Sequence, residues 1–155
     1  MKQLLILVFV AASLVSCASC SKNTTPAHNN SNNNNTNPTG SKMKIKIANS
    51  TFTATLYDNA TVTAFKSLLP MTINMVELNG NEKYFDLPRS LPTSAANPGT
   101  IQNGDLMLYG SSTLVLFYKT FSTSYHYTKL GRIDDVTALV AALGKGNVNV
   151  SFELQ

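Results

Sequence analysis

Five consecutive apolar residues, Leu114-Val115-Leu116-Phe117-Tyr118, constrain this chain more than any other segment. Successive side chains of a β-strand point to opposite faces, so a strand that is apolar at every position must be covered on both sides. Several of the other apolar stretches are one-sided. Lys44-Ile45-Lys46-Ile47 alternates, Asn49-Ser50 is turn chemistry, and Phe52, Ala54 and Leu56 resume the alternation opposite Thr51, Thr53 and Thr55. That pattern predicts a β-hairpin with one buried face. Met71, Ile73 and Met75, the Asn79-Gly80-Asn81 turn and the short Tyr84-Phe85 stretch predict a second. Gly104-Asp105 opens the strand Leu106-Met107-Leu108-Tyr109, and in the last strand Val148, Val150, Phe152 and Leu154 face inward.

Two helices interrupt these strands. Val62, Phe65 and Leu69 recur at helical spacing after the candidate N-caps Asn59 and Thr61 and before Pro70, which predicts a helix near 60–69. Val136, Leu139, Val140 and Leu143, after Asp134 or Asp135 and before Gly144, predict another near 135–143. Seven or eight short antiparallel strands with two helices fit a closed barrel with helices over its open ends, because closure removes unpaired edges. Sequence order alone does not separate that barrel from an open α+β sheet. Residues 87–103 contain three prolines and no sustained period, and read as a long loop of the kind that is more often functional than accidental.

The compact domain is assigned to 43–155, and two segments precede it. Residues 1–16, MKQLLILVFVAASLVS, carry Lys2 and then the apolar run Leu4 to Val10, too short for a permanent span of about 20 residues. They read as a cleaved export signal. Leu14-Val15-Ser16-Cys17 resembles the lipobox of bacterial lipoproteins, which implies diacylglyceryl transfer to the Cys17 thiol and cleavage before it. Two or more acyl chains are what stable anchoring requires. Cys20 fits the modified position less well. Residues 17–42 then read as the lipidated cysteine and an Asn/Thr-rich linker, without one large apolar side chain from 21 to 42. The expected location is the bacterial cell envelope, lipid-anchored, with the outer membrane and a periplasmic orientation favoured by the absence of Asp after Cys17.

No cysteine lies in 43–155, so that domain has no disulfide and no thiolate metal site. The pI of about 9.1 suggests nucleic acid until the charges are placed. From Met43 onward nine Lys and Arg face eight Asp and Glu, so a phosphate-binding surface has no electrostatic footprint. No cofactor motif is present, and the membrane, through the anchor, is the one partner that the residues name.

Gly104-Asp105-Leu106-Met107-Leu108-Tyr109, Leu114 to Phe121 and Leu130-Gly131-Arg132-Ile133-Asp134 together resemble the short bacterial cyclophilin-like domain. Met43 to Ile47, Phe52 to Asn59, Phe65 to Pro70 and Asp86-Leu87-Pro88-Arg89 are similar too. The resemblance covers essentially all of 43–155 and implies a closed eight-stranded barrel. Relatives often carry a Pro-Trp pair and Gly-Asn after the tyrosine, whereas Gly110-Ser111-Ser112-Thr113 stands here and the chain has no Trp.

Full cyclophilins are prolyl isomerases whose arginine lies in a Phe-His-Arg segment with a Gln and a Trp, and none of these is present as a motif. The domain's two arginines are Arg89, in the proline-rich loop, and Arg132. Arg89 is a candidate groove contact, although an arginine after Leu-Pro more often pairs with a carboxylate such as Asp86 or Glu82. Arg132, beside Asp134 and Asp135, reads as a local salt bridge. Tyr109, Phe117, Tyr118 and Phe121 are candidate walls of an apolar pocket near Met107, with two of the four taken as core. Tyr125-His126-Tyr127 reads as a surface loop, and a lone His lacks the partners of a metal site.

The expected function is a non-catalytic module that holds a peptide or small ligand between the 87–103 loop and the strands around Tyr109 to Tyr118. Arg89, Tyr109, Phe117 and Tyr118 are its candidate groove. The alternative is a minimal prolyl isomerase using Arg89 beside a Phe117 wall, with absent or very weak activity expected.

Overall fold

The structure, a computed structural model, describes residues 37–155. The export signal, Cys17 and most of the Asn/Thr-rich segment lie outside the described residues. Among the described residues no helix is long and apolar enough to cross a membrane.

Lys42–Ile47 (β1) and Ser50–Leu56 (β2) form the first hairpin, with Met43, Ile45 and Ile47 fully buried on one face. Pairing reaches back further still, since Gly40 and Ser41 bond the backbone of Leu56. Ala60–Lys66 (α1) follows, shorter than the expected 60–69, and the Asn59 side chain caps it by accepting from the Val62 N–H at 2.9 Å. Met71–Leu78 (β3) and Glu82–Asp86 (β4) make the second hairpin. After the long loop come Thr100–Ile101 (β5), Asp105–Tyr109 (β6), Thr113–Phe117 (β7), Phe121–Ser122 (β8) and Tyr127–Ile133 (β9). Leu139–Leu143 (α2) and Val148–Leu154 (β10) complete the chain.

Eight strands close into an antiparallel barrel in the order β1-β10-β3-β4-β7-β6-β9-β2, with β2 returning to β1. β5 and β8 form a separate two-stranded sheet. At the β2–β9 closure the strands approach so closely at Gly131 that a Cβ there would sit 2.7 Å from the Thr55 carbonyl oxygen. Only glycine fits without moving backbone.

The barrel interior is mainly aliphatic with a few aromatic rings, and Leu106 and Leu108 of β6, Leu114 and Leu116 of β7, and Val150 and Phe152 of β10 are fully buried. Helix α1 adds Val62 and Phe65, whose ring meets Phe152 edge-on at 6.5 Å, and α2 adds Leu139 and Leu143. Two expected details differ. The second helix starts at Leu139 because Asp135 instead accepts from the Thr137 N–H and hydroxyl, so the chain turns before it coils, and Val140 stays 49% exposed. Leu154 is paired with Met43 but 42% exposed, so the inward face of β10 rests on Val150 and Phe152, with Val148 partly buried against the interior.

The two-faced strand β7 explains the rest of the architecture. Leu114 and Leu116 enter the barrel, while Val115 and Phe117 point outward into a second cluster with Ile101, Met107 and Tyr127. β5, β8 and the start of β9 cover that outer face.

Candidate functional site

The β-alternation of β4 decides what stands beside this outer cluster. Lys83 lies opposite Leu116 in the register and shares its inward face, so Glu82, Tyr84 and Asp86 share the outward one, opposite Phe117, Val115 and Thr113. β6 adds Tyr109 opposite Thr113. Above these strands runs the segment from Phe121 to Tyr127, and between them opens a cleft of about 590 Å³, in the range of small-ligand and side-chain pockets. Leu78, Asn79 and Asn81 of the β3–β4 turn close one end.

Aromatic rings form a continuous chain along the cleft. Phe121 meets Phe117 at 5.8 Å, Phe117 meets Tyr127 edge-on at 5.5 Å, Tyr127 meets Tyr109 at 5.6 Å and Tyr109 meets Tyr125 edge-on at 6.2 Å. Such pairs each contribute about 0.5–1.5 kcal/mol beyond their buried area, so the chain of rings holds its shape without a ligand. Burial and then the charge of Glu82 push the Tyr127 hydroxyl up to about 12. Two carboxylates, Glu82 and Asp86, line the cleft, and no lysine, arginine or histidine does. Asp86 accepts from the Thr113 hydroxyl at 2.7 Å. Burial, and then the neighbouring charge of Glu77, hold the Glu82 carboxyl above the ordinary carboxylate value. The side-chain oxygen of Asn81, buried in the cleft end, accepts no hydrogen bond among the described residues.

The four candidate groove residues separate. Tyr109 lines the cleft and is 46% exposed. Phe117 is fully buried directly beneath, as a ring in the chain rather than a wall. Tyr118 sits in the interior cluster, and its hydroxyl donates to Glu77. Arg89 is not among the cleft residues; it donates to the Ser67 hydroxyl at the end of α1 at 2.7 Å and pairs with neither Asp86 nor Glu82. Of the four aromatic candidates, Phe121 joins Tyr109 in lining the cleft. The 87–103 loop backs the wall, through β5, while residues 121–127 form its lining face. Arg132 does make a salt bridge, but to Asp105 at 2.7 Å: the two are opposite each other in the β6–β9 register, whereas Asp134 is taken by Lys42 and Thr55.

Sequence reasoning passed over Tyr84, Glu82 and Asp86 as a set, although their spacing at i, i+2 and i+4 in a strand is the signal that puts them on one face. Tyr125 and Tyr127 were hidden inside what reads as a loop, while His126 between them is exposed. Lys83 is the other surprise. Its side chain is fully buried, and its three N–H donors go to Glu77, to the Gly144 carbonyl at 3.1 Å and to the Gly146 carbonyl at 2.7 Å. Burial works against the Glu77 charge, but hydrogen bonds from Lys83, Tyr118 and the Gly80 N–H outweigh it and hold the carboxyl below its usual value. This network ties the segment after α2 to β3 and β4 and has a structural character. Among the described residues no group of three or more His, Cys, Asp and Glu is placed to hold a metal.

A family model described as the cyclophilin-like family matches residues 45–153. The chain belongs to that family. Among solved structures, a hypothetical protein from Archaeoglobus fulgidus, determined in solution, is similar at 17% identity and a TM-score of 0.48, covering 75% of this chain and 95% of its own. No curated protein matches the sequence. Within the cyclophilin-like barrel, the cleft therefore lies on the outer face of β4, β7 and β6, with the closed interior behind it.

Proposed function

We propose that this cyclophilin-like domain is a non-catalytic binding module that holds a peptide segment or small ligand in the tyrosine-lined cleft. The observation that carries the reading is the composition of that cleft: tyrosine rings, short hydroxyl side chains and two carboxylates, with no arginine or histidine to act on an imide bond. A prolyl isomerase of the cyclophilin type uses an arginine at the twisted amide, and both arginines of the domain are engaged elsewhere, by Ser67 and by Asp105. Function belongs to such sites rather than to the barrel that carries them. The test is a pair of measurements on the purified protein, a proline isomerisation assay on short X-Pro peptides and a binding titration with the same peptides. Binding without acceleration is the expected result. Acceleration that Arg89→Ala abolishes would replace this reading with the minimal isomerase.

The module is proposed to act at the bacterial envelope, tethered by acyl chains on Cys17 through the Asn/Thr-rich linker, on the outer membrane facing the periplasm. Support comes from the lipobox-like Leu14-Val15-Ser16-Cys17 alone. Metabolic labelling with a palmitate analogue tests it: label lost in Cys17→Ser is expected, and label retained there would remove Cys17 as the anchor.

A further inference from the structure

We propose that the ligand of the cleft is a basic peptide, an extended segment whose lysine or arginine side chain lies along the tyrosine rings with its charge at Glu82. The inference rests on the reading of the cleft as a ligand site and names the chemistry that the site selects. Three observations carry it.

The first is charge. Glu82 and Asp86 line the cleft without any lysine, arginine or histidine, whereas two other depressions of the surface include Lys46 and Lys129 in their walls. Glu82 is half-buried, and among the described residues its carboxylate takes no hydrogen bond and no ion pair. A carboxylate partly withdrawn from water beside a second carboxylate, Glu77, is less well stabilised than one in bulk solvent, and a cation seated beside it offsets that cost. The raised proton affinity of Glu82 has the same two causes, burial first and then the charge of Glu77. The second observation is the set of tyrosine rings. Tyr84, Tyr109, Tyr125 and Tyr127 all line the cleft, and ring faces attract ammonium and guanidinium groups while their edges pack the aliphatic stem. The third concerns the main chain. β8 forms part of the wall, and among the described residues it is hydrogen-bonded on one side only, to β5. A strand with one open edge beside a side-chain pocket is the arrangement that accepts an extended peptide by main-chain pairing. A free amine would use the pocket and leave the edge idle.

The protein supplies its own probe. It has no Trp and six Tyr, four of which line the cleft, so tyrosine emission reports occupancy. The full-length protein is titrated with short capped peptides that differ only at the central residue, being lysine, arginine, norleucine or glutamate, and with butylammonium as the free cation. The expected result is that lysine and arginine peptides bind about tenfold or more tightly than the norleucine peptide. Glu82→Gln removes most of that preference, and Asp86→Asn removes less of it. Equal affinity for the lysine and norleucine peptides, both lost in Tyr109→Ala, would overturn the basic-peptide inference while leaving the cleft as the ligand site. Butylammonium binding as tightly as the lysine peptide would overturn the choice of a peptide. No binding of any probe would overturn both.

Discussion

β7 contributes alternate residues to two environments that are built differently. Inward, Leu114 and Leu116 join a mainly aliphatic interior sealed by barrel closure, by two helices and by a fully bonded lysine. Outward, Val115 and Phe117 join a smaller cluster of mixed aliphatic and aromatic residues, covered by a two-stranded sheet that leaves about 590 Å³ open. The interior is saturated: its one buried ammonium has three acceptors for three donors. The outer face is not, since the Glu82 carboxylate and the Asn81 side-chain oxygen lack partners among the described residues. The sealed packing lies on one side of the strand, and the cleft proposed to bind a ligand lies on the other.

The largest effect should come from opening the barrel. A chain ending at Gly146 loses β10, which pairs with both β1 and β3 and buries Val150 and Phe152 at about 1.5–3 kcal/mol each. It should show no cooperative thermal transition by circular dichroism, and a melt like that of the intact protein would refute the closure. Next comes Lys83→Ala, which removes the cation paired with Glu77 and the donor of two carbonyls and should destabilise by about 3 kcal/mol or more in urea unfolding. A loss below about 1 kcal/mol would mean that the interior does not depend on this network.

A smaller effect appears at high pH. Burial, then the hydrogen bond to Glu77, raises the Tyr118 hydroxyl to about 12, above its ordinary 10.0. The native state therefore keeps this proton after the unfolded chain has lost it, and stability falls as pH rises from 10 towards 12. Tyr118→Phe should flatten part of that fall, leaving the shares due to Tyr127, whose hydroxyl is raised to a similar value, and to Tyr57, which burial also raises. An unchanged slope would place the loss elsewhere.

The smallest stability effects should sit in the cleft, where function is most affected. Tyr125 is 61% exposed, so Tyr125→Ala should cost no more than about 0.5 kcal/mol while weakening ligand binding. For Glu82 the sign reverses. Its carboxyl has a raised proton affinity in the folded state, so its charge opposes folding at neutral pH, and Glu82→Gln should slightly stabilise the protein. Destabilisation by that substitution would show that Glu82 serves the fold rather than a ligand.

The same division governs what the sequence reveals. The interior was legible because the alternation of β1, β2 and β10 and the unbroken apolar run of β7 follow directly from burial on one face or two, and because Asn59 and Pro70 bracket a helix. Lys83 was not, since a lone lysine in a strand ordinarily marks a wet face and nothing local shows that Glu77, Gly144 and Gly146 converge on it. The cleft was half legible. Tyr109 and Phe121 stand out as aromatic, but the rest of the wall that faces Tyr109 comes from 122–127, a segment whose mostly irregular backbone gives no period to follow. The Glu82-Tyr84-Asp86 face was written in the spacing and is read once the register of β4 against β7 is known.

The central claim is that ligand binds on the outer face of β4, β7 and β6, and tyrosine ring resonances test it most directly. Six rings are assigned in a protein labelled at tyrosine, and a lysine-bearing peptide is added. Shifts should be confined to Tyr84, Tyr109, Tyr125 and Tyr127, with Tyr57 and Tyr118 unmoved. Shifts at Tyr57 or Tyr118 with the four cleft rings unchanged would contradict the account.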